Sequence, residues 1–326
     1  CSSLRSMFRS SRMVWLGLRG CRIIYDPQPD ERALCRLTRL RFRQVTRRRA
    51  VQAQLRSLFL EVAPEVLSSE WDGPMFGGQG MRAVLRRWPV FRGLERGHAT
   101  TVEEVLRSNI RYGDRCTGMV NPLKEMARRV HLSEEERAVI EMAVRMALDE
   151  LELLDKAITE LSREIARQVE AHPIGKKLLA MPGVGPVTAA TDIAELLPVA
   201  RHVSEGKAAT YAGLTPVSRR SGKPQADGKG PSRLARGVNK HALRTNYLSA
   251  VSAIQASAID AAYHRKQKAR HQGHPKPHVK ATIALARQRF KVKYKLMTTD
   301  AVYDKETLIA SHLERLESEK AGPPAA

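Results

Sequence analysis

The feature that most constrains this chain is an apolar repeat that runs without a break through residues 133–171. Its members are spaced alternately four and three residues apart: Ile140, Val144, Ala147, Leu151, Leu154, Ile158, Leu161 and Ile165. This is the a/d pattern of a helix that buries one stripe. No Gly or Pro occurs before Pro173, and Ser133 with Glu136 forms a capping-box pattern at the start. The sequence predicts one helix, about 58 Å long at 1.5 Å per residue.

A helix of this length with a single apolar stripe needs a partner helix. One candidate is the segment 30–60 of the same chain, which itself reads as a helix with arginines between its apolar positions. The other candidate is a second subunit, which would make the chain a homo-oligomer through residues 133–172. The pattern alone leaves both partners open.

The charge of the chain is large and segregated. Its 326 residues carry 56 Lys and Arg against 34 Asp and Glu, a formal net charge of +22. Residues 1–58 hold 14 Arg and 3 acids, and residues 201–300 hold 21 Lys and Arg and 4 acids, whereas residues 59–200 are mildly acidic. Two basic blocks of this kind favour a polyanion, because each phosphate contact releases counterions. Nucleic acid is the predicted partner, and an anionic membrane surface or general solubility are the alternatives.

Composition excludes several classes of protein. No run of about 18 apolar residues is present, so we expect no membrane span. Aromatic residues make up only 5% of the chain, which argues against a base-stacking platform. The 4 cysteines show no CxxC pairing, which predicts a reducing compartment and a cytoplasmic location.

A glycine turn lies between two short apolar segments. It reads Pro182-Gly183-Val184-Gly185-Pro186, the signature of a helix–hairpin–helix. Two glycines allow a tight turn, and its amides together with the following helix N-terminus fit a phosphate. Such a hairpin binds the phosphate backbone of a nucleic acid and does not distinguish base sequences. The plainer alternative is an ordinary turn between two helices.

No segment of strict apolar–polar alternation persists, so the fold class is predicted as mainly α. The long coiled-coil-type helix is joined in this prediction to a small helical domain that contains the helix–hairpin–helix. Shorter helices are expected over 81–87, 102–107 (opened by Thr101 and Glu104), 174–180, 187–197, 206–214, 233–263 and 278–296, with a polar loop over 215–232.

The C-terminal motifs carry a family resemblance. Tyr211 to Pro216 reads YAGLTP, an SGK step follows at Ser221, and Arg236-Gly-Val-Asn239 precedes an Ala-rich helix. Together with the hairpin, this order resembles the C-terminal domain of the IS110 family of insertion-sequence transposases. The resemblance covers about 174–304. It implies an N-terminal RuvC-like domain with four metal-binding acids, a long coiled coil and a C-terminal transposase domain.

The acids that the resemblance implies have no counterpart in this sequence. Residues 1–25 contain no Asp or Glu, and Asp26, Asp30 and Glu31 read as turn and capping residues. A two-metal phosphoryl-transfer centre needs several converging carboxylates. We therefore expect no identifiable cofactor. We also expect a truncated or frame-shifted family member that is inactive as a recombinase. The first residue is Cys1 and not Met, which also favours truncation.

The resemblance also implies a nucleophilic serine, and the matching residue is Ser221. A serine hydroxyl can attack a phosphodiester and hold a covalent DNA intermediate. Arg219, Arg220 and Lys223 could stabilise the charge on phosphorus. Ser218 is the nearby alternative nucleophile, and the plainer interpretation of Ser221 is a turn residue.

Basic residues continue beyond the serine, and on a helix most of them would share one face. They are Lys229, Arg233, Arg236, Lys240 and Arg244. We interpret them as backbone contacts to DNA, although a solvated face is the commoner meaning of such a run. The resemblance further implies a structured guide RNA. Four histidines near residue 271 read as incidental members of a basic loop, so no metal site is predicted.

The sequence predicts five segments: a degenerate N-terminus (1–26), a basic helix with a broken linker (27–132), the coiled-coil helix (133–172), the transposase domain (173–304) and a tail (305–326). The predicted function is DNA binding and serine-assisted strand exchange in transposition. Two alternatives stay open. One is a non-catalytic nucleic-acid-binding or dimerisation factor, and the other is a junction-binding repair protein.

Overall fold

The computed structural model describes residues 13–14, 24–25, 29–64, 78–108, 114–197, 202, 204–218, 232–234 and 237–304. Over these residues the chain is mainly α, as the sequence predicts. The helices are α1 (Pro29–Val62), α2 (Gln79–Arg87), α3 (Ala99–Arg107), α4 (Asp114–Arg129), α5 (Glu134–Ala171), α6 (Pro173–Leu179), α7 (Pro186–Leu196), α8 (Glu205–Tyr211), α9 (Lys240–Ala256), α10 (Ala258–Arg270) and α11 (Pro277–Thr298). None of these helices is both long and apolar enough to cross a membrane.

Four short strands form two antiparallel pairs. Strands β1 (Met13–Val14) and β2 (Ile24–Tyr25) make one pair. Strands β3 (Pro216–Ser218) and β4 (Ser232–Leu234) make the other, with Ser218 opposite Ser232. Strand β3 lies inside the segment 215–232 that the sequence predicts to be a loop, and β4 overlaps the end of that segment and the start of the predicted helix 233–263.

The chain divides into two compact units. Residues 41–160 form one, here called the bundle unit, and residues 1–40 with 161–326 form the other, here called the C-terminal unit. The division falls within α1 and within α5. Each unit has its own apolar core.

In the bundle unit, the apolar repeat of α5 packs into a core to which α1 of the same chain contributes. Val144, Leu148 and Leu151 share one buried cluster with Leu55 and Phe59. Ion pairs border this contact, and they are Arg47–Glu150 at 2.7 Å and Arg48–Asp155 at 2.9 Å. The partner of the repeat in this unit is therefore the segment 30–60, one of the two candidates that the sequence left open.

The start of α5 confirms the capping box. The Glu136 carboxylate accepts from the Ser133 amide at 3.0 Å, and the Ser133 hydroxyl accepts from the Glu136 amide at 3.2 Å. The hydrogen bonds that the Glu136 carboxylate accepts from the Ser133 amide and the Ser133 hydroxyl lower the pKa of Glu136. Both bonds satisfy donors that a helix N-terminus would otherwise leave without partners.

The bundle unit differs from the prediction at one helix boundary and contains one helix that the sequence does not predict. Helix α3 begins at Ala99 behind the N-cap residue His98, three residues before the predicted start. Helix α4 has no counterpart among the predicted helices, and Gly118 and Pro122 lie within it. It forms because Leu123 and its apolar neighbours on the same face are buried in the core, which outweighs weak helix propensity.

In the C-terminal unit, α11 packs against α6, α8, α9 and α10, and α9 packs against α7. The predicted helix 233–263 is in fact two helices that meet at Ser257. Ser257 is extended (φ −140°, ψ 119°), and its hydroxyl accepts from the Asp260 amide at 3.3 Å. A serine in this position ends one helix and caps the next.

Candidate nucleic-acid interface

The turn between α6 and α7 is built around one glycine. Gly183 has φ +72°, a conformation that side chains with a Cβ rarely adopt. A Cβ at this position would also lie 2.6 Å from the amide nitrogen of Ala253 and 2.7 Å from its Cα. The turn therefore rests directly on the backbone of α9, and only glycine fits there.

Side chains from other helices hold the carbonyl groups of this turn. The Ser249 hydroxyl donates to the Gly183 carbonyl at 3.0 Å. The buried Arg289 guanidinium donates to the Pro182 carbonyl and, at 2.6 Å, to the Asp260 carboxylate. Residues of α9, α10 and α11 thus fix the turn from the interior of the unit.

The other side of the turn is open. Gly185 is exposed, and a Cβ added to it would meet nothing within 4 Å. It is the N-cap residue of α7, and Pro186 occupies the first turn. In the part of the chain that the structure describes, no backbone carbonyl accepts from the amides of Val187 or Thr188. Free amides and the positive end of a helix dipole suit an anion.

A fully buried ion pair joins α7 to the helices behind it. The Lys293 ammonium donates to Asp192 at 2.7 Å and to the Asn246 amide oxygen at 2.9 Å. Asn246 in turn donates to Asp192 at 2.9 Å. Burial lowers the pKa of Lys293, although the neighbouring Asp192 acts in the opposite direction. Sequence reasoning missed this triad, because Lys293 looks like one more surface charge of a basic helix.

A second polar cluster brings two of the quoted motifs together. The buried Glu195 accepts two hydrogen bonds from Arg39, at 2.8 and 2.9 Å, and one from Asn239 at 2.7 Å. Burial acts to raise the pKa of Glu195, but these hydrogen bonds outweigh it and hold the pKa below its usual value. The Asn239 amide donates to the Tyr211 carbonyl at 2.9 Å, and the Asn239 side chain caps α9.

This cluster lies at the base of the β3–β4 hairpin. Tyr211 precedes β3 and Asn239 follows β4, so their hydrogen bond ties the two ends of the hairpin segment together. The two residues of this hydrogen bond belong to motifs that the sequence analysis identified, Tyr211 to YAGLTP and Asn239 to RG-N. The sequence gives no sign that Arg39 and Glu195 complete the cluster, because they lie 156 residues apart.

The predicted site residues divide into three groups. The structure brings Gly183, Val184 and Gly185 together in the turn. Lys240 and Arg244 lie one turn apart on α9, where Lys240 is exposed. The following residues lie outside the part that the structure describes: Arg219, Arg220, Ser221, Lys223, Lys229 and Arg236.

One prediction about the basic row is corrected. Arg233 belongs to strand β4, and α9 begins only at Lys240, so the row does not form one helical face. The strand forms because β4 pairs with β3 across the hairpin. The alternative nucleophile Ser218 lies on β3.

Helices α10 and α11 add a further positive region to this unit. No Asp or Glu occurs anywhere in residues 261–299. Exposed cations of these two helices and their connection include Lys268, Arg270, Lys276, Lys280 and Lys291. The described residues contain no group of three or more His, Cys, Asp or Glu that could hold a metal ion, and we assign no metal ligand.

The fold and the turn define a small helical unit that presents a braced glycine turn and a helix N-terminus within a strongly cationic region. Residues 175–265 match the family model described as "Transposase IS116/IS110/IS902 family". This part of the chain is therefore similar to that family of insertion-sequence transposases.

Three curated proteins are similar to the chain. An insertion element IS110 protein of Streptomyces coelicolor is 33% identical over 149 residues, which is 44% of this chain and 34% of that protein. An IS900 protein of Mycobacterium paratuberculosis is 32% identical over 163 residues, 50% of this chain and 39% of that protein. An IS116 protein of Streptomyces clavuligerus is 28% identical over 144 residues, 44% and 34%. The chain thus covers little more than a third of each relative.

Proposed function

We propose that this chain is a DNA-binding transposase of an insertion sequence, and that its C-terminal unit grips the phosphate backbone through the turn at Gly183–Gly185. The observation that carries the proposal is the two-sided turn. Its carbonyls are held from the interior by Ser249 and Arg289, while Gly185 and the start of α7 are open. This is the arrangement expected of a helix–hairpin–helix.

Binding in this proposal depends on charge and not on sequence. The open amides and the α7 dipole hold one phosphate, and Lys240 with Arg244 on α9 adds contacts to neighbouring phosphates. The cations of α10 and α11 attract the polyanion over a longer range. Structured RNA offers the same phosphate chemistry, so a guide RNA implied by the family belongs to the proposal as a second ligand.

The proposed chemistry is serine-assisted strand exchange. Ser221 would attack a phosphodiester, with Arg219, Arg220 and Lys223 stabilising the charge. The family-model match over residues 175–265 and the place of Ser221 along the sequence, between strands β3 and β4, support this assignment. That this copy lacks recombinase activity stays a prediction, as does its assembly into a homo-oligomer.

A charge placed at Gly185 tests the binding site without harming the fold. Gly185→Asp puts a carboxylate where the phosphate would lie, and Asp is a favoured N-cap residue, so we expect the stability of α7 to be kept. Loss of one phosphate contact lowers the slope of log K against log salt by about 0.9. We expect duplex affinity to fall about tenfold, a change of about 1.4 kcal/mol.

The matched control is Gly185→Asn, which caps the helix without adding charge. Fluorescence anisotropy with a labelled duplex of mixed sequence, repeated at several salt concentrations, gives affinity and slope for both variants. Affinity equal to that of wild type in both Gly185→Asp and Gly185→Asn would remove the turn from the interface. A wild-type chain that ignores duplex DNA and structured RNA at low salt would refute the proposed function as a whole.

The non-catalytic alternative shares this interface and differs only at Ser221. It predicts full binding of DNA without any covalent protein–DNA product. Comparing wild type with Ser221→Ala therefore separates it from strand exchange.

A further inference from the structure

Two histidines meet where α10 packs against α11. His264 lies on α10 and is buried, with 6% of its surface exposed, and His278 lies in the first turn of α11 and is exposed. Their ring centroids are 4.8 Å apart, and the ring planes cross at 73°. From the sequence both residues read as incidental members of a basic loop, whereas the structure places them on two packed helices. We call them the histidine pair.

Thr282, one turn after His278 on α11, orients the buried ring. Its hydroxyl donates its single hydrogen to the His278 carbonyl at 2.9 Å. The Thr282 oxygen also lies 3.4 Å from Nε2 of His264. Because the hydroxyl has no second hydrogen to donate, the ring nitrogen is the donor in this contact. The proton of the neutral His264 ring therefore belongs on Nε2.

Positive groups on both helices act on His264. They are His278 on α11 and Lys268, one turn further along α10. Helix α9 also packs against α10, and none of its described charged groups acts on His264. Burial, followed by His278 and Lys268, lowers the pKa of His264, although a hydrogen bond to the His278 backbone acts in the opposite direction.

The surroundings offer no carboxylate that could balance an added proton. No Asp or Glu occurs in residues 261–299. Asp260, one turn before His264 on α10, is already held by Arg289 at 2.6 Å. A protonated His264 would be a buried cation among other cations, which is costly.

Protonation therefore disfavours the contact between α10 and α11. Because the pKa of His264 is lower in the folded chain than in the unfolded chain, the unfolded chain binds this proton more readily. The stability that neutral His264 contributes is complete above the unfolded pKa of about 6.5, and it is lost as the pH falls through the folded pKa. The sensitive range is thus mildly acidic.

The same two helices brace the glycine turn. Asp260 precedes His264 by one turn of α10, and Arg289 follows Thr282 by two turns of α11. The Arg289 guanidinium joins the Asp260 carboxylate to the Pro182 carbonyl. A loosening of α10 from α11 at the histidine pair therefore acts on the contact that holds the turn.

We propose that the histidine pair is a proton-sensitive latch between α10 and α11, which is closed at neutral pH and loosens in mild acid. Loosening also releases the Asp260–Arg289 brace and makes the turn at Gly183–Gly185 less rigid. This device goes beyond the proposed function, because it is a property of the free chain and needs no nucleic acid.

Native-state hydrogen exchange of the full chain, free of nucleic acid, tests the latch. Protection of the α10 amides is compared at about pH 7.5 and about pH 5.5, after correction for the intrinsic exchange rate of each amide. An unfolded histidine is about 90% protonated at the lower pH, so protection can fall by up to about tenfold. We expect a fall of at least about threefold in wild type.

Two further regions are read in the same experiment. The Val184 amide donates to the Met181 carbonyl at 3.1 Å and reports on the turn, and we expect its protection to fall together with that of α10. The bundle unit is the internal reference, because its two histidines, His98 and His131, are exposed.

Three variants separate the latch from a general effect of acid. His264→Gln removes the titrating group but keeps a side-chain N–H for Thr282, so the pH effect in α10 and at Val184 should disappear. Lys268→Glu changes an exposed residue and supplies the missing carboxylate, so it should reduce the effect. His271→Gln is the control, because His271 ends α10 outside the pair, and it should behave like wild type.

The proposal is overturned if wild-type protection in α10 does not depend on pH beyond the intrinsic correction. It is equally overturned if His264→Gln keeps the full effect, if Lys268→Glu leaves it undiminished, or if His271→Gln removes it. A pH effect in α10 without one at Val184 would overturn the link to the turn. No nucleic acid is used, so these results do not depend on whether the proposed function holds.

Discussion

Replacing Lys293 by methionine probes the buried triad that holds α7. Lys293 and Asp192 have no exposed side-chain surface, and their charged atoms lie 2.7 Å apart. Methionine has a similar length and suits an apolar core, so the substitution removes a cation and leaves little empty volume. What remains is a buried carboxylate with one side-chain hydrogen bond, from Asn246 at 2.9 Å.

The expected loss of stability is large. Removing one partner of a buried ion pair costs about 3–5 kcal/mol, because the other charge stays out of water. The unfolding equilibrium of the C-terminal unit would then rise by at least about a hundredfold. The exposed neighbour on the same helix, Lys291, provides the control, and we expect Lys291→Met to change stability by less than about 0.5 kcal/mol.

The measurement is native-state hydrogen exchange of amides in α7, α9 and α11, combined with urea unfolding followed by circular dichroism. Adding Asp192→Asn to Lys293→Met neutralises the stranded charge, so the double variant should recover part of the loss. The reasoning is refuted if Lys293→Met is as stable as Lys291→Met. It is equally refuted if the second substitution destabilises the single variant further.

Two other outcomes follow from the site. The pKa of Glu195 is lower in the folded chain than in the unfolded chain. The Arg39–Glu195 pair therefore stabilises the protein fully at a pH above the pKa of the unfolded carboxyl. This contribution is lost as the pH falls through the pKa of Glu195 in the folded chain. Arg39→Gln should therefore destabilise the chain at neutral pH and approach wild type in acid; a deficit of equal size at every pH, read from urea unfolding, would contradict this. If Ser221 is the nucleophile, a covalent protein–DNA adduct that survives detergent should form with element-end duplexes in wild type and not in Ser221→Ala. An adduct that persists in Ser221→Ala would disprove the assignment, and no adduct in wild type would fit the predicted loss of activity.

Local signals account for most of what was predictable. The a/d repeat and the capping box gave α5 its limits, because both depend on residues three or four positions apart. The glycine turn was recognisable from the Pro-Gly-Val-Gly-Pro motif, and Gly183 has the positive φ that such a turn requires. Two helix boundaries differ from the prediction, at the start of α3 and within 233–263, where Ser257 ends α9 and caps α10.

The sequence by itself determined a mainly helical, strongly basic chain whose C-terminal motifs resemble a transposase family, since composition, periodicity and short motifs are properties of neighbouring residues. Only the tertiary structure decided which side of α5 the chain itself covers and which side it leaves exposed. It also decided that Lys293 is a core residue while Lys291 stays in water. Burial and long-range pairing join residues more than a hundred positions apart, and no pattern of neighbours along the chain records such contacts.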